Sequence, residues 1–317
     1  MSQMQPQQHS GPPYASPNAS PGGLPGVIPD VPISAVFIIV YLSFAITNMT
    51  ILQINLRRQH KFIISGALFG FSMSRIVTFA LRIAWATHQH NVRLAIAANV
   101  FVNAGVLIVY IVNLIFAQRI FRARQPTIGW HPSLGIVLKV FYVGIGAALI
   151  LVIYSVVQGA YTLDASRLNA VRSIQLAAAT YLLVFTTLPL WLLLVAYFLL
   201  RKPADEELFG CGSMRTKVII NMVSTCICII ISGFKAGTAW EAPLPLSDPA
   251  WYHTKPTFYV FNFVFELLVL SLLAFSRVDK RFHIPNGSKG PGDYSRPVSE
   301  RTTIEKTESS YHSDNQV

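Results

Sequence analysis

Arg75 and Glu266 each stand in the middle of a long apolar run. An isolated charge at such a place in a bilayer costs a few kcal/mol and must find a partner or water. Glu266 is the only acid in any of these runs, and its depth matches that of Arg75, so the two are expected to form a buried ion pair. Such a pair can fix helix register and do nothing more, or it can act as a switch or a substrate site. Arg82 follows Arg75 by two helical turns on nearly the same face, and Lys235 lies at a comparable depth in a later run. With Trp85 and Trp240 they would make a basic, aromatic-rimmed vestibule suited to an anionic or amphipathic ligand. Snorkelling of Arg82 and Lys235 to lipid headgroups explains the same positions, as it does for Lys139. Asn99 and Asn103, spaced i,i+4, and Asn262, one turn before Glu266, are expected to hydrogen-bond between helices.

Other chemistries lack their residues. No histidine falls inside a run to hold a haem between imidazoles, and the last run has no lysine for a Schiff base. His88, His90 and His253 fall in connecting segments and are expected to be solvated, not metal-bound. No nucleophile and base share a recognisable spacing, and no Gly-rich loop cradles phosphate. Neither an enzyme, a cofactor nor a metal site is expected.

The elements that position these residues are helices. Of 317 residues 52% are hydrophobic and 12% charged, more apolar residues than a soluble core needs. A hydrocarbon core of ~30 Å takes about 20 helical residues. Seven runs are long enough, at about 32–53, 62–86, 94–117, 133–157, 174–200, 218–240 and 257–276. Stretches such as Leu182 to Leu200 are apolar on every face, which excludes alternating barrel strands. An all-α, seven-helix membrane domain over 32–284 is expected. Within it Gly66 and Gly70 form a G-x-x-x-G that would admit a close neighbour, and Pro189 would kink the fifth helix.

Lysine and arginine give the expected orientation, since basic residues beside a span stay on the cytoplasmic side. One set of connections carries thirteen, including Arg57, Arg58, Arg119, Arg122, Arg124 and Arg215; the other carries only Arg93, Arg167, Arg172 and Lys255. The N-terminus is thus expected outside and the C-terminus in the cytoplasm. Arg119, Arg122 and Arg124 are read as a cytoplasmic basic loop that meets anionic lipid or docks a signalling protein. A net charge of +11 spread in such clusters does not make a nucleic-acid face.

Residues 1–31 and 285–317 are low in complexity and expected to be disordered, the first extracellular, the second cytoplasmic. No cleavable signal peptide is read at the start, so the first span would direct its own insertion. Asn18 in Asn-Ala-Ser is a candidate glycosylation acceptor. Ser299, Thr302, Thr303, Ser309 and Ser310 are candidate phosphorylation sites. The three cysteines, Cys211, Cys226 and Cys228, all fall away from the expected outer loops, so no disulfide framework is expected.

Tyr41–Thr50, Ile54–Arg58, Arg82–His88, Asn91–Ala98, Asn113–Arg119, Gly129–His131 and Lys235–Trp240 resemble a fungal family of seven-span proteins. The resemblance covers about residues 35–280, and the family is often labelled as family-C-like G-protein-coupled receptor proteins. It implies the seven-helix fold and a receptor-like role. The leading expectation is a receptor-like or sensor protein of the plasma membrane, or of an internal one, linked to a G protein, its ligand unspecified. The alternatives are a lipid or small-molecule transporter using Arg75 and Glu266 at mid-membrane, and a scaffold whose tails recruit partners.

Overall fold

The computed structural model describes residues 11–58, 60–198 and 206–295. Among these every regular element is a helix, and seven are long and apolar enough to cross a membrane. They are α1 (Val27–Arg57), α2 (Ile64–Thr87), α3 (Val92–Arg124), α4 (Pro132–Tyr161), α5 (Ala165–Phe198), α6 (Met214–Trp240) and α7 (Lys255–Phe275). The chain is a multi-pass membrane protein. Its mean hydropathy runs from 1.5 in α2 to 2.6 in α4, and α2 is lowest because it carries two arginines in its interior.

Every span found by apolarity is present, and most are longer than apolarity alone indicates. Helices begin at polar caps, which a hydropathy window leaves out. The Asn91 side chain accepts from the backbone N–H groups of Arg93 and Leu94 at the start of α3. Ser213 accepts from Thr216 at the start of α6, and proline occupies the first turn of α4 and of α7. At its other end α3 runs on to Arg124. Arg119, Arg122 and Arg124, expected in a loop, are therefore helical, and each finds a partner within the protein. Arg119 donates to the Phe282 carbonyl, Arg122 to that of Gly129 at 3.2 Å while stacking on Trp130, and Arg124 lies over Tyr197.

The end holding the start of α1 and the α2–α3, α4–α5 and α6–α7 connections is called the N-face; the opposite end is the C-face. The second half of α3 is central, with Leu114, Phe116, Ala117, Ile120 and Ala123 fully buried. By contrast α4 buries only Leu138, Ile145, Ala148 and Ser155, so most of its apolar surface faces outward, as lipid requires. The G-x-x-x-G does not serve close packing: a Cβ on Gly66 would meet Leu52 at an ordinary 3.4 Å, and one on Gly70 would meet nothing within 4 Å. Helix α5 continues through the buried Pro189.

Both chain ends are more engaged than low complexity suggests. Residues 11–26, expected as part of a disordered tail, lie across the N-face, where Tyr14 N donates to Ala160 O at 2.7 Å and Ala19 N to Leu244 O at 2.8 Å. Asn18, exposed, pairs with Pro245 in an isolated bridge. On the C-face the stretch up to Ser295 packs against the connections. Ser299, Thr302, Thr303, Ser309 and Ser310 lie outside the described residues.

Candidate functional site: two ionic tiers between α2 and α7

Helix α2 buries one stripe, Ser65, Leu68, Ser72, Arg75, Phe79, Arg82 and Ala86, at three- and four-residue steps. That periodicity brings both arginines to the same side, where α1, α3 and α7 meet them. Arg75 lies midway along α2, its side chain wholly excluded from solvent. Its Nε donates to Glu266 Oε2 and its Nη2 to Glu266 Oε1, both at 2.6 Å, a bidentate fork between two planar groups. The remaining donor, Nη1, reaches the carbonyls of Phe101 at 2.9 Å and Val102 at 3.1 Å. Tyr41 of α1 donates its hydroxyl to Phe263 O at 3.3 Å and to Glu266 Oε2 at 3.4 Å. The rings of Phe71 and Phe263 lie 5.4 and 5.5 Å from the guanidinium carbon.

Those carbonyls are available because α3 is broken. Its helical pieces, Val92–Ala104 and Leu107–Arg124, are separated at Gly105. The end of the first piece concentrates the negative end of its dipole there; Phe101 O still accepts from Gly105 N at 3.4 Å, whereas Val102 O is met by side chains. Arg75 donates to both carbonyls, and Lys235 of α6 donates to Val102 O at 3.3 Å. Gly105 makes the approach feasible: a Cβ there would stand 2.8 Å from Ser74 Oγ and 3.0 Å from Arg75 Cζ. The facing helix is irregular too, since Val260–Val264 of α7 form a π-turn that ends two residues before Glu266. Single π-turns of this kind collect at functional positions.

A second tier lies toward the N-face. Arg82 donates to Asp30 Oδ1 at 3.1 Å, to Gly22 O at 3.2 Å and to Tyr259 Oη at 3.3 Å, and stacks on Phe258 with 4.2 Å to the ring centre. Asp30, 1% exposed, also receives Tyr259 Oη at 2.7 Å, Gly26 N at 2.8 Å and Lys255 Nζ. One carboxylate thus ties α1, α2, α7 and the N-terminal segment together. Between the tiers lies a layer of aromatic rings, with Phe37 to Phe79 centroids 5.0 Å apart and Phe79 to Phe263 4.4 Å.

Set against these positions, the pairing of Arg75 with Glu266 follows the sequence expectation in geometry. Asp30, missed because it sits among tail-like residues just before Pro32, is a second buried acid within a span. It engages Arg82, which therefore does not line an open basic vestibule with Lys235. Trp85 donates to Gln89 O at 3.3 Å and Trp240 to Thr180 Oγ1 at 3.0 Å. Asn99, Asn103 and Asn262 do not bridge helices as expected: Asn103 donates to Asn99 O at 3.0 Å and Asn262 to Phe258 O at 3.0 Å, each within its own helix.

A further polar seam was missed entirely. Lys217, Asn221, Ser224, Cys228 and Ser232 recur at three- and four-residue steps along α6 and are all buried. Asn113 of α3 accepts from Ser224 Oγ at 2.7 Å and donates to Cys228 Sγ at 3.1 Å, and Ser232 pairs with Thr186 of α5 at 2.7 Å. The helical repeat of small polar residues in an apolar span was the signal. Each such bond is worth about 0.6 kcal/mol in membranes, so the seam fixes how α3, α5 and α6 pack more than it holds them together.

Outside the spans, burial pushes the Tyr294 phenol up, and hydrogen bonding to Asp279 raises Arg277. Among the described residues no cluster of three or more His, Cys, Asp or Glu side chains could hold a metal.

Residues 212–283, which include α6, the connection after it and α7, match a family described as "Protein of unknown function (DUF3112)". No curated protein and no solved structure matches the chain.

Proposed function

We propose that this protein is a receptor-like membrane sensor of the cell surface, with its N-terminus outside, its C-terminus in the cytoplasm and a G protein as its partner. The observation that carries the reading is the pair of ionic tiers on the same two helices, with the π-turn of α7 lying between Tyr259 in one tier and Glu266 in the other. A π-turn holds one residue more than a helical turn, so removing it shifts the N-face part of α7 relative to the part carrying Glu266. An anionic or amphipathic ligand that competes with Asp30 for Arg82 and Lys255 would favour that shift. The fork at Arg75 makes the alternatives discrete, because a buried guanidinium is either paired or strongly destabilised. Such bistability lets a differential ligand contact become a shift of populations. The resemblance to receptor-like seven-span proteins supports the same reading.

The test is proximity labelling from the C-terminal end in the native cell, comparing wild type with Arg57→Ala, Arg58→Ala, Arg215→Ala combined, at matched surface level. These three side chains are exposed on the C-face, whereas Arg119, Arg122 and Arg124 make internal contacts and would disturb the fold. Enrichment of a G-protein α-subunit that the variant loses is the expected result. Absence of any such enrichment from wild type overturns the receptor reading.

A second reading, lipid or small-molecule transport, is favoured by the break in α3. Broken helices at mid-span are where transporters place their sites. Here the freed Val102 carbonyl is taken by both Arg75 and Lys235, so transport would require these cations to move. Lipid flux into proteoliposomes that Arg75→Gln abolishes would favour this reading over the first.

A further inference from the structure

The chain beyond α7 is knitted to each of the three connections on the C-face. Lys61 N, in the first, donates to Asn286 Oδ1 at 3.3 Å. The ring of Trp130, in the second, lies 5.4 Å from that of Tyr294. Glu207, in the third and 6% exposed, accepts from Gly292 N at 2.8 Å and Tyr294 N at 3.0 Å through its two carboxylate oxygens. Tyr294 is 3% exposed and also packs on Phe209. Residues 283–295 thus occupy the surface that a partner reading these connections would need.

The last of these residues is chemically exposed. Ser295 is open to solvent, and its Oγ accepts from Leu208 N at 3.2 Å, one residue from the Glu207 carboxylate. Two residues before it, Asp293 Oδ2 gathers the N–H groups of Lys289 and Gly290, both at 2.8 Å. A group added at Ser295 Oγ would disturb the bond from Leu208 N, next in the chain to Glu207, and a doubly charged one would add negative charge to a segment already held through the Glu207 and Asp293 carboxylates.

We propose that Ser295 is a phosphorylation site whose modification releases residues 283–295 from the C-face and uncovers the connections for a partner. The proposal rests on the cytoplasmic placement of the C-terminus argued above. A kinase transfers the terminal phosphoryl group of a nucleoside triphosphate to Ser295 Oγ: the new O–P bond replaces the bond to the leaving diphosphate, and the hydroxyl proton passes to a base of the kinase. The added charge of about −2 then opposes the clamp that Glu207 makes on Gly292 and Tyr294.

The experiment is amide hydrogen exchange on the full chain in lipid nanodiscs, comparing wild type with Ser295→Glu, Ser295→Ala and Glu207→Ala. Ser295→Glu and Glu207→Ala are expected to speed exchange at Gly292 and Tyr294 at least about tenfold, with the seven spans unchanged, and Ser295→Ala to stay within about threefold of wild type. Protection in Ser295→Glu equal to or greater than wild type overturns the mechanism. Mass spectrometry of the chain from its native cell is expected to find phosphate on Ser295. A fully covered, unmodified Ser295 peptide there overturns the site. Both readouts are independent of whether a G protein is the partner.

Discussion

At the residue scale the decisive feature is the fork between Arg75 and Glu266. Glu266→Gln leaves a buried guanidinium without its charge partner, and a loss of about 3–5 kcal/mol is expected, with Arg75→Gln similar. The double variant should recover part of that loss, because neither charge then remains uncompensated. Denaturant unfolding of detergent-purified protein measures the cycle, and simple additivity would falsify the coupling. Lys235 predicts the opposite sign. Its single long bond to Val102 O does little to offset desolvation, so Lys235→Met should leave stability unchanged or raise it by up to about 1 kcal/mol. A large loss in the same assay would assign Lys235 a stronger partner than that carbonyl. The first pair was legible in the chain because two lone charges at equal depth in apolar runs have few other ways to be satisfied. Asp30 was not, since an acid beside Pro32 reads as tail until the helix start at Val27 is known.

At the element scale the interruption of α3 and the π-turn of α7 set the site. Gly105→Ala places a Cβ 2.8 Å from Ser74 Oγ and against the Arg75 guanidinium, which should cost about 1–3 kcal/mol through displacement of the fork. Unchanged stability would show that α3 can close its break without disturbing Arg75. Neither irregularity has a plain sequence signature: Asn103-Ala-Gly105 reads as helix, and Val260–Val264 is ordinary apolar sequence. The N-terminal segment has its own lever in Gly22, whose φ of +80° and 2.6 Å approach to Phe258 Cγ leave no room for a Cβ. In Gly22→Ala, amide exchange over residues 14–26 should rise severalfold while α2 and α7 keep their protection. Equal protection would mean that the Asp30 contacts alone hold the segment down.

At the scale of the whole molecule the receptor reading rests on orientation. Cys211 is an exposed free thiol on the C-face, in the connection between α5 and α6. A membrane-impermeant maleimide should label it only after cells are permeabilised, with Cys211→Ser as the control for background at Cys226. Labelling in intact cells would invert the topology and with it the receptor reading.

The sequence by itself determined that the chain crosses a membrane as helices, how many times, and that Arg75 and Glu266 need one another, because burying charge and backbone in hydrocarbon allows few solutions. Only the tertiary structure decided that Asp30 neutralises Arg82, that a broken α3 supplies the carbonyls for Arg75, and that Arg119, Arg122 and Arg124 turn into the protein. Those outcomes depend on which helices are neighbours. Neighbour relations among seven similarly apolar helices come from side-chain packing and from polar contacts far apart in the chain. Hydropathy and charge counts, being local sums, do not contain them.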